Sequence, residues 1–187
     1  QSLTPLIATG QRLADLEAES ATLPAITVSS AAVANAVMLG AGYFTPLKGY
    51  MNRADALSVA TDLKTTDDLF WPVPVLNMVE RFDGNVGDRI ALRDPNVDGA
   101  PVIAVMDVTG IECLSDDDMT LMTREVFGTD DPNHPGVATF NAQGQVLLSG
   151  PIEVLNYSYF QSDFPSTFRT ATELSLIHIS EPTRLEP

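Results

Sequence analysis

Three consecutive acids, Asp116 to Asp118, with Asp130 and Asp131 further along, form the densest set of potential ligands in the sequence. Carboxylates are hard oxygen donors, so the chemistry they would suit is binding of a hard divalent cation. The same residues have a simpler use. They follow Ser115 at the start of a stretch with helical spacing, DDDMTLMTREVF. Acids in a first helical turn cap free amides and meet the positive end of the helix dipole. A hard cation also needs convergent geometry that spacing alone does not show, and capping is the expected role. His134, in DDPNHPGV, is the one histidine before the C-terminal tail. A catalytic base needs a nucleophile or an orienting partner, and no such motif accompanies it, so it is expected to shape a loop. Cys113 is the single cysteine, which excludes an internal disulfide, and its setting, GIECLSDDD, disfavours a nucleophilic thiolate. His178, in LSLIHISEPTR, sits where alternating apolar residues read as a buried strand carrying a base. GAGYF follows a helical stretch instead of opening one, so it is no phosphate cradle, and no zinc spacing, lipase-type elbow or kinase signature occurs. These residues assign no catalytic, cofactor-binding or metal site.

A net charge of −15 over 187 residues is the strongest compositional signal. It argues against binding of nucleic acid by phosphate neutralisation, because the ten Lys and Arg are scattered and form no basic patch. The acidity is read as a solubility device. A hydrophobic fraction of 44% and the lack of low-complexity tracts mark a globular chain, long enough for one well-cored domain with or without an added arm. The lone cysteine fits a reducing compartment. No apolar run is long enough to span a bilayer, and QSLTPLIATG lacks the charged and long apolar regions of a secretion signal. The expected location is the cytoplasm, without a membrane partner. Gln1 in place of Met leads to the expectation that the true N-terminus is missing, with processing as the alternative.

The elements follow from periodicity and punctuation. QRLADLEAES predicts a helix, PAITVSS a short strand, and SAAVANAVML a second helix capped by Ser29 or Ser30 and stopped at Gly40 and Gly42. Pro46 and Gly49 enforce a turn. Asn52 and Asp55 form a capping-box pattern before a helix whose apolar stripe is Leu57, Ala60 and Leu63. In LFWPVPVLNMV, Trp71, Val73, Val75 and Val79 fall on one face of an irregular or edge strand, since Pro72 and Pro74 donate no hydrogen bonds. DRIALRD and PVIAVMDVTGIECL read as strands. The Ser115-capped helix ends at Gly128, and GVATF, GQVLLSG and PIEVLNY read as short strands, with NAQG a hairpin turn. No repeat and no βαβ alternation appear, so the expected class is α+β with a mixed, barrel-like sheet and flanking helices.

GYFTPLKGYM, Gly42 to Met51, resembles the Gly-Phe-Ser-Pro-Leu-x-Gly-Phe-Met signature of the ATP sulfurylase (sulfate adenylyltransferase) family. Tyr43 and Thr45 flank Phe44 here, and Tyr50 stands where Phe is usual. NRADALSV, LFWPVPV, GDRIALRD, VFGTDDPNHPGV, SGPIEVLNY and FPSTFR continue the likeness in order and register. It covers about Thr22 to Glu173 and is nearest the enzymes of dissimilatory sulfur metabolism. The resemblance implies a PUA-like domain beside a nucleotidyltransferase domain. The full-length enzymes, which are homo-oligomers, transfer an adenylyl group between ATP and sulfate, giving adenosine 5′-phosphosulfate and pyrophosphate, with Mg2+ accompanying the nucleotide. Their catalytic groups lie in a Gln-Thr-Arg-Asn-Pro stretch and a His-x-x-His pair, which can stabilise charge on the transferred phosphoryl group. Neither motif occurs in this sequence, so no catalytic, cofactor-binding or metal residue carries over, and this chain is expected to be inactive alone.

The resemblance also divides the chain. Residues 1–21 are expected to be a helical arm, 22–168 the PUA-like domain, and 169–173 the start of the catalytic domain. LSLIHISEPTR resembles, residue for residue, the translation of a transposase-type sequencing adapter, so residues 174–187 are expected to be an adapter-derived artefact. The expectation is an N-terminal fragment of a sulfate adenylyltransferase whose partner is the missing catalytic domain. The alternatives are a stand-alone binding module, since PUA-like folds also occur in RNA-binding proteins, and a structural docking domain with an exposed apolar patch. The acidity disfavours the first of these.

Overall fold

The last strand of the sheet, β7 (Val146–Val154), organises the molecule. The computed structural model describes residues 2–180, with side chains through Leu176. Ahead of β7 come α1 (Gly10–Ser20), β1 (Ala25–Thr27), α2 (Ser30–Gly40), β2 (Gly49–Tyr50), α3 (Arg53–Asp62), β3 (Met78–Val79), β4 (Arg89–Arg93), β5 (Val102–Asp107), β6 (Gly110–Cys113), α4 (Asp116–Phe127) and α5 (Pro135–Ala142). After it come α6 (Phe160–Asp163) and α7 (Ala171–Ser180). The seven strands make one mixed sheet, with β1 parallel to β4 and the other pairs antiparallel.

β7 bends at Gly150, whose φ of 145° lies outside the range of ordinary L residues. Before the bend, Val146–Ser149 pairs with β6, and Val146 and Leu147 also pair with β3. Beyond it the strand pairs with β2 and β5. Side chains of α2, α3, β4, β5 and β7 share the main core. Leu16 of α1 joins a second cluster with Val105 and Leu155.

Local chemistry explains where the helices start. Ser29 Oγ accepts from the Ala32 amide and starts α2. Ser115 and Asp118 form a complete capping box on α4, which Gly128 ends in the left-handed conformation. The α+β expectation holds, whereas several local ones change. GVATF lies in a helix, α5, because Pro135 at its first turn is preset for helical φ and His134 caps it. NAQG therefore leads a helix into a strand instead of closing a hairpin. GQVLLSG and PIEVLNY form one continuous strand. LFWPVPVLNMV pairs as sheet only at Met78–Val79, and Val73 is 40% exposed while Trp71 and Val75 are buried. The prolines remove the donors a longer ladder would need. The buried stripe of α3 is Ala56, Val59 and Ala60; Leu63 ends the helix at φ 56° and is 48% exposed. Asn52 caps that helix through the Asp55 amide, but the Asp55 carboxylate accepts from Thr66 instead of closing the box. The strand pattern around His178 is helical instead, since α7 runs through Ser180; the His178 side chain and residues 181–187 lie outside the described residues.

Candidate functional site

Asp116, Asp118, Asp130 and His134 each have a structural task. Asp118 accepts two hydrogen bonds from Arg53, at 2.8 and 2.7 Å, and one from the Ser115 amide at 2.9 Å. The Arg53 guanidinium pulls the buried carboxyl from its ordinary 3.8 down to about 2, working against the burial. Asp116 accepts from Gln145, and Asp130 pairs with Arg124, which lowers its pKa. Asp116 and Asp130 do line one cleft, of about 340 Å³, but Asp117, Asp118 and Asp131 do not. Among the described residues no three of His, Cys, Asp and Glu converge on a common point. His134 uses Nδ1 to accept from the Gly136 amide at 3.2 Å and leans on Phe127. Cys113 is an exposed free thiol at the end of β6.

GYFTPLKGYM is architecture throughout. It leaves α2 at Gly42, where φ is 87°. The Thr45 hydroxyl accepts from the Thr4 amide at 3.0 Å and donates to the Gly42 carbonyl at 2.9 Å. Phe44 meets Trp71 edge to face at 5.5 Å. Gly49 lies against the backbone of Gly150 and Pro151 so closely that a side chain would collide with it. Tyr50 is buried and donates to the Ala32 carbonyl at 2.7 Å; burial pushes its phenol pKa up. Tyr43 reaches the other way and donates to the Arg169 carbonyl at 2.6 Å, while the Ala171 amide donates to the Ala41 carbonyl at 2.9 Å. The loop thus seats two segments distant in sequence, residues 4–5 and 169–171.

Two features had no signal in local sequence. An ionic cluster ties α1 to the sheet: Arg89 contacts Glu19, Asp107 and Glu153, and Arg12 contacts Glu153 and Glu19. Hydrogen bonds from Arg12 and Arg89 lower the Glu153 pKa, and Arg89 lowers that of Glu19. The partners are far apart in sequence, so only the alternation within β4, β5 and β7 could have hinted at the pairing. The second is an apolar groove of about 520 Å³ between α2, α4, α5 and the Val73–Met78 segment. Ala34, Leu76, Val126, Phe127 and Phe140 line it, with Asn35 and Gln143 at polar positions and no ionisable side chain. It offers no acid, base or nucleophile.

The molecule is a half-barrel of mixed sheet with helices on its flanks. The chain belongs to the PUA-like domain family, whose model matches residues 1–157. It is 61% identical over 160 residues to the sulfate adenylyltransferase of Allochromatium vinosum, which covers 85% of this chain and 40% of that protein. It is 57% identical over 174 residues to the sulfate adenylyltransferase of Alcanivorax borkumensis, covering 92% and 43%. The chain thus spans well under half the length of these relatives. In fold it is similar to a solved structure, "Hexameric APS kinase from Thiobacillus denitrificans", with a TM-score of 0.69 at 22% identity over 95% of this chain and 30% of that one. No helix of the described residues is long and apolar enough to cross a membrane.

Proposed function

We propose that the chain is the N-terminal part of a cytoplasmic sulfate adenylyltransferase, and that its task is to seat and orient the part that performs adenylyl transfer between ATP and sulfate. The observation that carries this is the 61% identity sustained over 160 residues to a protein of that name. The geometry agrees: Tyr43 of the family-like loop holds the backbone at Arg169, and Asp118, Asp130 and His134 are engaged in caps and ion pairs. In this reading Mg2+ accompanies the nucleotide substrate of the whole enzyme. The assembled enzyme is a homo-oligomer in this reading, in keeping with the hexamer named for its fold neighbour.

The test is the continuous gene. It should encode Gln-Thr-Arg-Asn-Pro and then His-x-x-His downstream of Glu173. Its product should form ATP from adenosine 5′-phosphosulfate and pyrophosphate, while this chain alone forms none. Turnover by this chain, or a continuation lacking both motifs, overturns the proposal.

A further inference from the structure

The residues between β7 and α7 have the position of a linker but not its chemistry. Flexible linkers are rich in Gly and Ser and make no tertiary contacts. This segment is fastened at both ends, with residues 161–167 exposed between them. The Leu155 amide donates to the Ile103 carbonyl at 2.7 Å, and the Asn156 side chain donates to the Val102 carbonyl at 3.1 Å. Ser158 adopts φ 58°, held there by its amide donating to Asn156 Oδ1 and by its hydroxyl donating to Asp94. Asp94 is only 1% exposed, and its other oxygen accepts from the Asn96 amide, so the contact is anchored in the end of β4. Tyr157, Phe160 and Phe168 then pack on the main core, with Tyr157 and Phe168 rings 5.2 Å apart. Tyr43 and Ala41 finally catch the backbone at Arg169 and Ala171.

We infer that residues 155–171 are a fixed strut, clamped at one end by Ser158 on Asp94 and at the other by Tyr43 on Arg169, so that Tyr43 and Asp94 act as positioning residues for the polypeptide beyond it. The two clamps sit on different elements, the end of β4 and the C-terminal end of α2. Two anchors fix both where the chain leaves the sheet and the direction it takes. One anchor would leave it free to swing. The inference about positioning rests on the reading of this chain as the N-terminal part of a larger enzyme; the inference about rigidity does not.

The experiment separates them. In this chain, with Cys113→Ser removing the native thiol, spin labels go on exposed sites of α4 and α7 through Glu125→Cys and Thr172→Cys. Pulsed electron resonance should give one narrow distance distribution. Tyr43→Phe with Ser158→Ala should make it roughly twofold broader at an unchanged melting temperature, because only local contacts are lost. An unchanged width in that double variant overturns the strut. Should the double variant fail to fold, Tyr43→Phe alone applies the same criterion. In the continuous polypeptide, Tyr43→Phe should lower kcat and leave KM unchanged. An unaltered kcat beside a broadened distribution overturns the positioning role and leaves the strut standing. A continuous polypeptide without adenylyltransferase activity refutes the reading of the enzyme and leaves the spin-label result intact.

Discussion

Where β7 crosses the sheet, Leu147, Leu148 and Ile152 are shut away from water and the strand's partners are other backbones. Where α3 meets α4, the contact is a guanidinium on a carboxylate that also caps the helix. At those three residues the first region is held by apolar burial, which pH leaves alone; only Glu153, at its edge, belongs to the ionic cluster. The second adds to its buried Val59 and Met122 a charge pair, which acid removes. One chain therefore has two modes of failure, and heat and acid should find different ones first.

The largest break in that comparison comes from the sheet. Leu148→Ala should cost about 3 kcal/mol through lost burial and a residual cavity. That corresponds to a melting temperature lower by about 10 °C for a chain of this size; an unchanged denaturant slope would show that the whole domain responds. Asp118→Ala comes next, at about 1–2 kcal/mol, because it removes half of a capping box and an ion pair whose guanidinium is solvent-screened. Hydrogen exchange should report the loss first in α4, and a uniform loss across β7 would contradict the division into two regions. Lowering the pH should mimic that variant. The Asp118 carboxyl is depressed from 3.8 to about 2 in the folded chain, so its contribution is complete above its unfolded value and disappears as pH falls from 3.8 through about 2. A calorimetric pH series should show that slope in the parent chain and a shallower one in Asp118→Ala. The smallest effect is expected at the half-exposed rim of the α1 cluster, where Arg12→Ala should lower the melting temperature slightly in low salt and not measurably in high salt.

How much of this could be read from sequence depended on range. Ser29, Ser115 and Gly128 mark helix ends because caps act within four residues, and the structure keeps all three. The α5 helix escaped notice because Val137, Thr139 and Phe140 favour strands in isolation, while its cap is an imidazole nitrogen, an uncommon choice. β7 looked like two strands because Gly150 and Pro151 usually punctuate; here they bend one strand. The contacts of Arg89 with Glu19 and Glu153 join residues far apart in the chain, beyond the reach of any local pattern. GYFTPLKGYM was recognisable as a family feature, but the direction in which Tyr43 reaches is a fact of tertiary structure alone.

β7 also sets a schedule for synthesis. β1, β4 and β5 can pair as soon as residue 107 has been made, but β2, β3 and β6 all wait for a strand that ends at Val154, and so does the bridge from Ile7. On the ribosome, those three short strands and the Ile7 bridge must therefore wait unpaired until β7 emerges. Closure comes late and at once, just before residues 155–171 emerge. Whatever the polypeptide carries beyond them would then begin to fold on a platform already complete.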